Sequence, residues 1–238
     1  MRSSAAKIKR MLPLMPNLAD ALSSDRFGTY LAWAGGAPDL AERLYTYNVR
    51  LSAALYGPLH MLEVTMRNRI NVQLAQAFGP AWLNDPKVLA TPYQASCVRQ
   101  AEQTLRQGNK PVTASRIVAE LNFGFWCPLF GRQSHHLWQV LRPIFLAKGI
   151  QRSPIAHELR ETRVLRNRVA HYEPILGMAL GQRYASITTL TGWLSPSAAA
   201  WIAGYSDWPR VYPGVPILIP DSTARTFQVA PAVISFLP

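Results

Sequence analysis

At 238 residues the chain can bury a full core, and with 49% hydrophobic and only 16% charged residues it is a globular protein, not a disordered tail. Lys and Arg number 25 against 13 Asp and Glu, a net charge of +12 that favours polyanions, either nucleic acid or an acidic membrane surface. The two cysteines, Cys97 and Cys127, lack the close spacing of a zinc or redox pair and read as buried free thiols in a reducing cytoplasm.

Residues 1–37 form an N-terminal extension. Its first ten residues are basic, but Pro13 and Pro16 follow without a long apolar run, which argues against a secretory signal. From Pro38 onward helical periodicity takes over. Leu40, Leu44, Tyr47, Leu51, Ala54 and Leu55 share one broad face of a helix over 39–56. Gly57-Pro58 is predicted to break it, and a second helix follows over 59–78, ended by Gly79-Pro80. A loop carrying Asn84, Asp85, Pro86 and Pro92 leads to a third helix over 93–107, closed by Gly108-Asn109, and Thr113 caps a short helix reaching Leu121.

Residues 135–147 read as a helix despite Pro143, with Gly149 as terminator. Ser153-Pro154 then supplies an N-cap and a proline at the first helical position. The helix that follows contains a basic segment over 158–172, and Pro174 disfavours helical geometry at Glu173, so it ends soon after His171. Two further helices are predicted over 175–193 and 197–202. The apolar stretch over 177–204 is interrupted by Gln182, Arg183 and Pro196, well short of a membrane span. Past Trp208, Pro209, Pro213, Pro216, Pro220 and Pro231 interleave with Val-Ile-Leu runs, an extended arm over 208–238 that lies on the helical body or on a partner. The fold class is all-α, with the helical domain over 38–207.

The chemistry concentrates in Arg166-Asn167-Arg168-Val169-Ala170-His171. Arg166 is a permanently charged phosphate-binding group, and His171 can move protons near neutral pH. RNA carries its own nucleophile in the 2′-hydroxyl. A protein need only deprotonate it, protonate the leaving 5′-oxygen and neutralise charge growing on the phosphorane. His171 suits the proton transfers, since a helix C-terminus favours the protonated ring. Arg166 suits the phosphorane through fork-like hydrogen bonds, and Asn167 can orient either the imidazole or the phosphate. No carboxylate-rich metal cluster is visible and no cofactor is implied, which fits a metal-free transesterification leaving a 2′,3′-cyclic phosphate.

At about 100° per residue, Arg163, Asn167 and His171 fall on one stripe, joined by Arg160. Arg166 lies about 140° away from His171, so one rigid helix cannot easily bring both to the same phosphate. Two copies packed across a two-fold axis can, each lending groups to a shared cleft.

Three blocks carry a family likeness. The run from Arg166 through His171 to Ile175 resembles the Arg-Asn-x-x-x-His signature of HEPN domains. Asn48, the run from Leu51 to Tyr56, and the run from Leu62 through Glu63, Arg67 and Asn68 to Asn71 resemble the front of the Abi-like (abortive infection) family. Leu121-Asn122-Phe123-Gly124-Phe125-Trp126 resembles a mid-chain block of the same family. The likeness covers roughly 30–195 and leaves the arm outside. It implies a HEPN-like helical bundle with additional helices, usually dimeric, that cleaves RNA in bacterial defence against phage. Carried onto this chain, it puts Arg166 and His171 in catalysis with Asn167 beside them. Some HEPN proteins carry a tyrosine two residues past the histidine that accepts a nucleotide from an antitoxin; here Tyr172 follows His171 directly and Glu173 occupies that place.

Glu63, Arg67 and Asn71 sit four residues apart on one helix face. Glu63–Arg67 is thus an intrahelical ion pair, or else both residues, with Asn68, support Arg166 or His171 from behind. Phe123, Phe125 and Trp126 read as core before they read as base-stacking platforms. His60 has no identifiable partner, and His157 is too far from His171 to share its site.

The leading expectation is a cytoplasmic, metal-independent endoribonuclease, a toxin-like effector working as a homodimer on RNA, restrained by an antitoxin or a regulatory RNA. Arg160, Arg163 and Arg168 are its expected RNA-binding residues. The alternative is a HEPN-fold module that binds RNA without cutting it. A membrane-associated basic protein is a third class, which Arg183 and the prolines disfavour.

Overall fold

The computed structural model of the chain describes residues 18–221 and 226–238. The basic start of the N-terminal extension lies outside the described residues. Helices α1 (Leu18–Ala21) and α2 (Ser24–Trp33) lead into α3 (Pro38–Phe78), a helix of 41 residues. Leu44, Tyr47, Leu51, Leu55, Leu59, Leu62, Met66, Ile70 and Leu74 recur along α3 at three- and four-residue steps, and all are buried. At 1.5 Å per residue α3 is about 60 Å long, and α2 packs beside it through Phe27 and Tyr30.

The expected break at Gly57-Pro58 does not occur: Pro58 sits inside α3. An interior proline removes one backbone hydrogen bond and costs about 3 kcal/mol. Each fully buried leucine contributes about 1.5–3 kcal/mol in return. The apolar stripe stays in phase across the proline, with Leu55 and Leu59 both in the core, so packing outweighs the local defect. Gly57 has its own reason to be small. A Cβ there would lie 2.8 Å from a ring carbon of Tyr205.

Helix α4 (Pro92–Gln107) starts with a capping box, Thr91 and Gln94 each hydrogen-bonding the other's backbone N–H. It is followed by α5 (Ala114–Glu120) and α6 (Phe123–Trp126). Phe123, Phe125 and Trp126 are core residues, with Trp126 edge-on to Phe125 at 4.8 Å. The predicted helix over 135–147 is instead a 3-10 segment Arg132–Leu137, one turn of α-helix, α7 (Trp138–Leu141), and a second 3-10 segment Arg142–Ile144. Pro143 cannot donate to a longer helix, and the chain turns extended at Phe145, where the Leu146 N–H donates to the Trp193 carbonyl at 2.7 Å.

Helix α8 (Arg152–Ala170) begins one residue before Ser153, with Gln151 at its cap, so Pro154 falls in the first turn, where no N–H is needed. The helix predicted over 175–193 begins only at Leu180, as α9 (Leu180–Leu194). Asn48, 3% exposed on α3, intercepts the chain first: its Oδ1 accepts from the Ile175 N–H at 2.8 Å, and its Nδ2 donates to the Glu173 carbonyl at 3.4 Å.

Ser195 caps α10 (Pro196–Tyr205), which is followed by α11 (Trp208–Val211). The expected extended arm has more order than its prolines imply. Strands β1 (Leu218–Asp221) and β2 (Thr226–Val229) pair antiparallel, Leu218 opposite Val229, and a 3-10 segment Pro231–Phe236 follows. The arm lies on the helical body. Val233 and Leu237 are buried, and Arg43 of α3 donates to the Ile234, Leu237 and Pro238 carbonyls. Among the described residues the fold is mostly helical with one two-stranded sheet, and no helix is long and apolar enough to cross a membrane.

Replacing Asn48 by Leu preserves volume but strips the buried Ile175 N–H of its acceptor. Equilibrium urea unfolding should show a loss of about 1–3 kcal/mol; an unchanged midpoint would mean that the turn after α8 does not rely on this side chain.

Candidate functional site

The rotation of α8 decides which of its side chains meet. Ile155, Leu159, Thr162 and Leu165 are buried, and α8 packs against α3, α9 and the turn Cys127–Phe130. Arg166, the residue after the buried Leu165, is thereby turned toward α3. Its Nε donates to Glu63 Oε2 at 3.4 Å, with the Arg166 side chain 33% and Glu63 17% exposed. Partial desolvation makes such a contact stronger than an ion pair in open solvent. The pair stands in a cavity of about 510 Å³ whose walls include His60, Glu63 and Arg67 of α3 together with Arg166, Val169 and Tyr172.

The expected Glu63–Arg67 ion pair is not formed. Glu63 faces Arg166, and Arg67 Nη1 donates to the Ala119 carbonyl at 3.3 Å, in the last turn of α5 where helix carbonyls lack intrahelical donors. Arg67 Nε is buried without a partner among the described residues. Asn71 is structural, accepting from the Trp82 indole at 3.1 Å. Asn68 is exposed and lies outside the cavity lining.

His171 does not join Arg166. It is the C-cap of α8, its side chain exposed and outside the cavity lining, without a hydrogen bond to the described residues. Asn167, one turn earlier, is also exposed. The wide angular separation between Arg166 and His171 on the helical wheel is thus kept in the fold.

The helix ends in a Schellman motif: the Tyr172 N–H donates to Val169 and the Glu173 N–H to Arg168. Its left-handed position, usually glycine, is Tyr172 at φ 59° and 75% exposed. Arg168, expected on RNA, is partly engaged in this turn, donating to the Pro174 carbonyl at 2.9 Å and facing Glu173 at 3.9 Å.

Arg160 and Arg163 lie on another side of α8. Arg160 Nη2 donates to His157 Nδ1 at 2.9 Å and its Nε faces Glu161 at 3.4 Å. Both arginines line a second cavity of about 460 Å³, away from Arg166. Cys127 borders this second cavity, and burial pushes its thiol far up; Arg163 and Arg166 both act against that rise and Glu63 with it. Cys127 is a fully buried thiol that donates to the Leu159 carbonyl at 3.6 Å, while Cys97 is half-buried, and both are free.

Sequence reading missed His60 and Tyr56. Their rings stack at 6.4 Å and 8°, beside the Arg166 cavity. The signal was present, since Tyr56, His60 and Glu63 are spaced four and three residues apart and so share a helix face. Among the described residues no three His, Cys, Asp or Glu side chains gather into a set that could hold a metal ion. Neither a family model, nor a curated protein, nor a solved structure matches this chain.

Replacing Tyr172 by Gly relieves about 1–2 kcal/mol of left-handed strain at about 0.5–1 kcal/mol of backbone entropy. Denaturant unfolding should therefore show Tyr172→Gly more stable by roughly 0.5–1 kcal/mol and Tyr172→Val less stable than the parent. The reverse order would mean that the tyrosine ring holds the turn.

Proposed function

We propose that this chain is a metal-independent endoribonuclease of HEPN type, related in design to the Abi-like proteins it resembles. It acts as an abortive-infection or toxin effector in phage defence. Its substrate is RNA, its working form a homodimer in the cytoplasm, and an antitoxin or regulatory RNA restrains it. The observation that carries this reading is the Arg166–Glu63 contact. A guanidinium is held at a cavity wall by one carboxylate, with its remaining N–H groups free to grip a phosphate.

In the reaction a base removes the proton from a 2′-hydroxyl, and its oxygen attacks the adjacent phosphorus. The O2′–P bond forms, the P–O5′ bond breaks, and an acid protonates the departing 5′-oxygen. His171 performs proton transfer, Arg166 neutralises the phosphorane and Asn167 orients the reacting groups. Since Arg166 and His171 stand apart within one protomer, Arg166 of one copy works with the motif histidine of the other. A second reading, an RNA-binding module that does not cut, draws support from the same separation: His171 lies outside the Arg166 cavity.

The test compares the parent protein with Arg166→Ala and His171→Ala on labelled total RNA in EDTA. The parent should give fragments ending in 2′,3′-cyclic phosphate, and each variant should be slower by about 100-fold or more. Mixing the two inactive variants should restore roughly a quarter of the activity, because half of the dimers carry one intact composite site out of two. Intact RNA bound by all three proteins would favour the module that does not cut, and cleavage without complementation would put both residues in one protomer's site.

A further inference from the structure

The second cavity lies between the turn around Cys127–Phe130 and the first three turns of α8. Arg132, Arg152, His157, Arg160 and Arg163 line it, and none of its lining residues is acidic. Four guanidiniums gathered around one concavity repel each other, a cost that an anion at their centre reverses.

The donors are partly organised in advance. Arg152 Nη1 donates to the Phe130 carbonyl at 2.8 Å, which fixes that guanidinium and leaves its other N–H groups free. Arg160 is steadied by His157 at 2.9 Å, and Glu161 stands at its outer side. The Arg132 and Arg163 guanidiniums make no hydrogen bond or ion pair among the described residues. Planar forks with unused donors match phosphate oxygens.

The cavity is also linked to the Arg166 site. Arg160, Arg163 and Arg166 are each three residues apart, so successive guanidiniums rise about 4.5 Å along α8 and turn about 60° around it. They form a spiral of positive charge from one cavity to the other. Arg163 and Arg166 act on the same buried sulfur, that of Cys127.

We infer that the cavity lined by Arg132, Arg152, His157, Arg160 and Arg163 binds a backbone phosphate of the RNA strand other than the one held at Arg166. The inference rests on the RNA reading above. It lays single-stranded RNA along the exposed side of α8 across both cavities, and it gives Arg132, Arg152 and His157 a role that the sequence motif does not contain.

The experiment measures fluorescence anisotropy of a labelled 2′-O-methyl RNA about 12 nucleotides long. That strand has no free 2′-hydroxyl and is not cut, so binding is read whether or not the protein is a nuclease. Against the parent, Arg132→Gln/Arg163→Gln should weaken binding about tenfold or more and lower the slope of log affinity against log salt by about two. The single change Arg132→Gln, at an exposed position, should lower it by about one. The control pair Arg99→Gln/Arg116→Gln removes the same charge from exposed arginines elsewhere and should shift affinity less than about twofold.

Equal losses in the two pairs would reduce the effect to net charge and overturn the site. A steep parent slope that the cavity pair leaves unchanged would overturn the site while sparing the RNA reading. No binding by the parent would overturn both. Inorganic tripolyphosphate serves as competitor: if it displaces the strand only from proteins with the cavity intact, and those proteins bind it more tightly than the strand, the site belongs to a small free anion and not to RNA.

Discussion

The candidate site depends on how α8 is rotated against α3. Burying Leu159, Thr162 and Leu165 leaves α8 one orientation, and that orientation aims three sets of side chains in three directions. Arg166 turns to Glu63, Arg160 and Arg163 turn to the basic cavity, and His171 ends in solvent at the C-cap. A rotation of one residue, about 100°, would bury an arginine and expose a leucine. Leaving a buried charge unpaired costs several kcal/mol, so the core residues set the chemistry of the surface without touching it.

The turn after α8 adds a second constraint. A tyrosine at a left-handed C-terminal position is strained by about 1–2 kcal/mol, and such strain persists only where neighbours over-determine it. Here they do. Asn48 grips the chain at Glu173 and Ile175, Arg168 reaches the Pro174 carbonyl, and Ile175 and Leu176 are buried beyond. The turn is therefore anchored on both sides of the strained residue. It holds Tyr172 at the edge of the Arg166 cavity and keeps His171 from continuing the helix.

Local spacing made much of this visible. The stripe in the first half of α3, the Gly108-Asn109 end of α4, the core role of Trp126 and the stop of α8 close to His171 all follow from side-chain period and cap chemistry. What stayed hidden was set at long range. Pro58 looked like a break because its cost is local and the stripe that offsets it spans the whole helix. Residues 175–179 looked helical because nothing in their own sequence announces that Asn48, 127 residues from Ile175, takes the Ile175 N–H. The pairing of β1 with β2 was concealed by Pro220 within β1 and by the other prolines of the arm. At the site, the four-residue rule paired Glu63 with Arg67, and the fold paired it with Arg166, 103 residues away. Within one helix that alternative has no signature, because it depends on where α8 docks.

On the proposed reading, charge and assembly are coupled. Each copy carries a net +12, so bringing two together works against their mutual repulsion. On that reading, an RNA strand lying along the guanidinium spiral neutralises part of that charge. Anything that binds the pair better than the single chain shifts the balance toward the pair by its differential affinity. The separation of Arg166 from His171 then acquires a consequence of its own. A lone protomer carries both groups but holds them apart, and it carries the charge that discourages pairing. On the proposed reading the RNA strand is also the ligand that removes that obstacle, so the proposed substrate itself favours the assembly in which an Arg166 and a His171 converge on one phosphate.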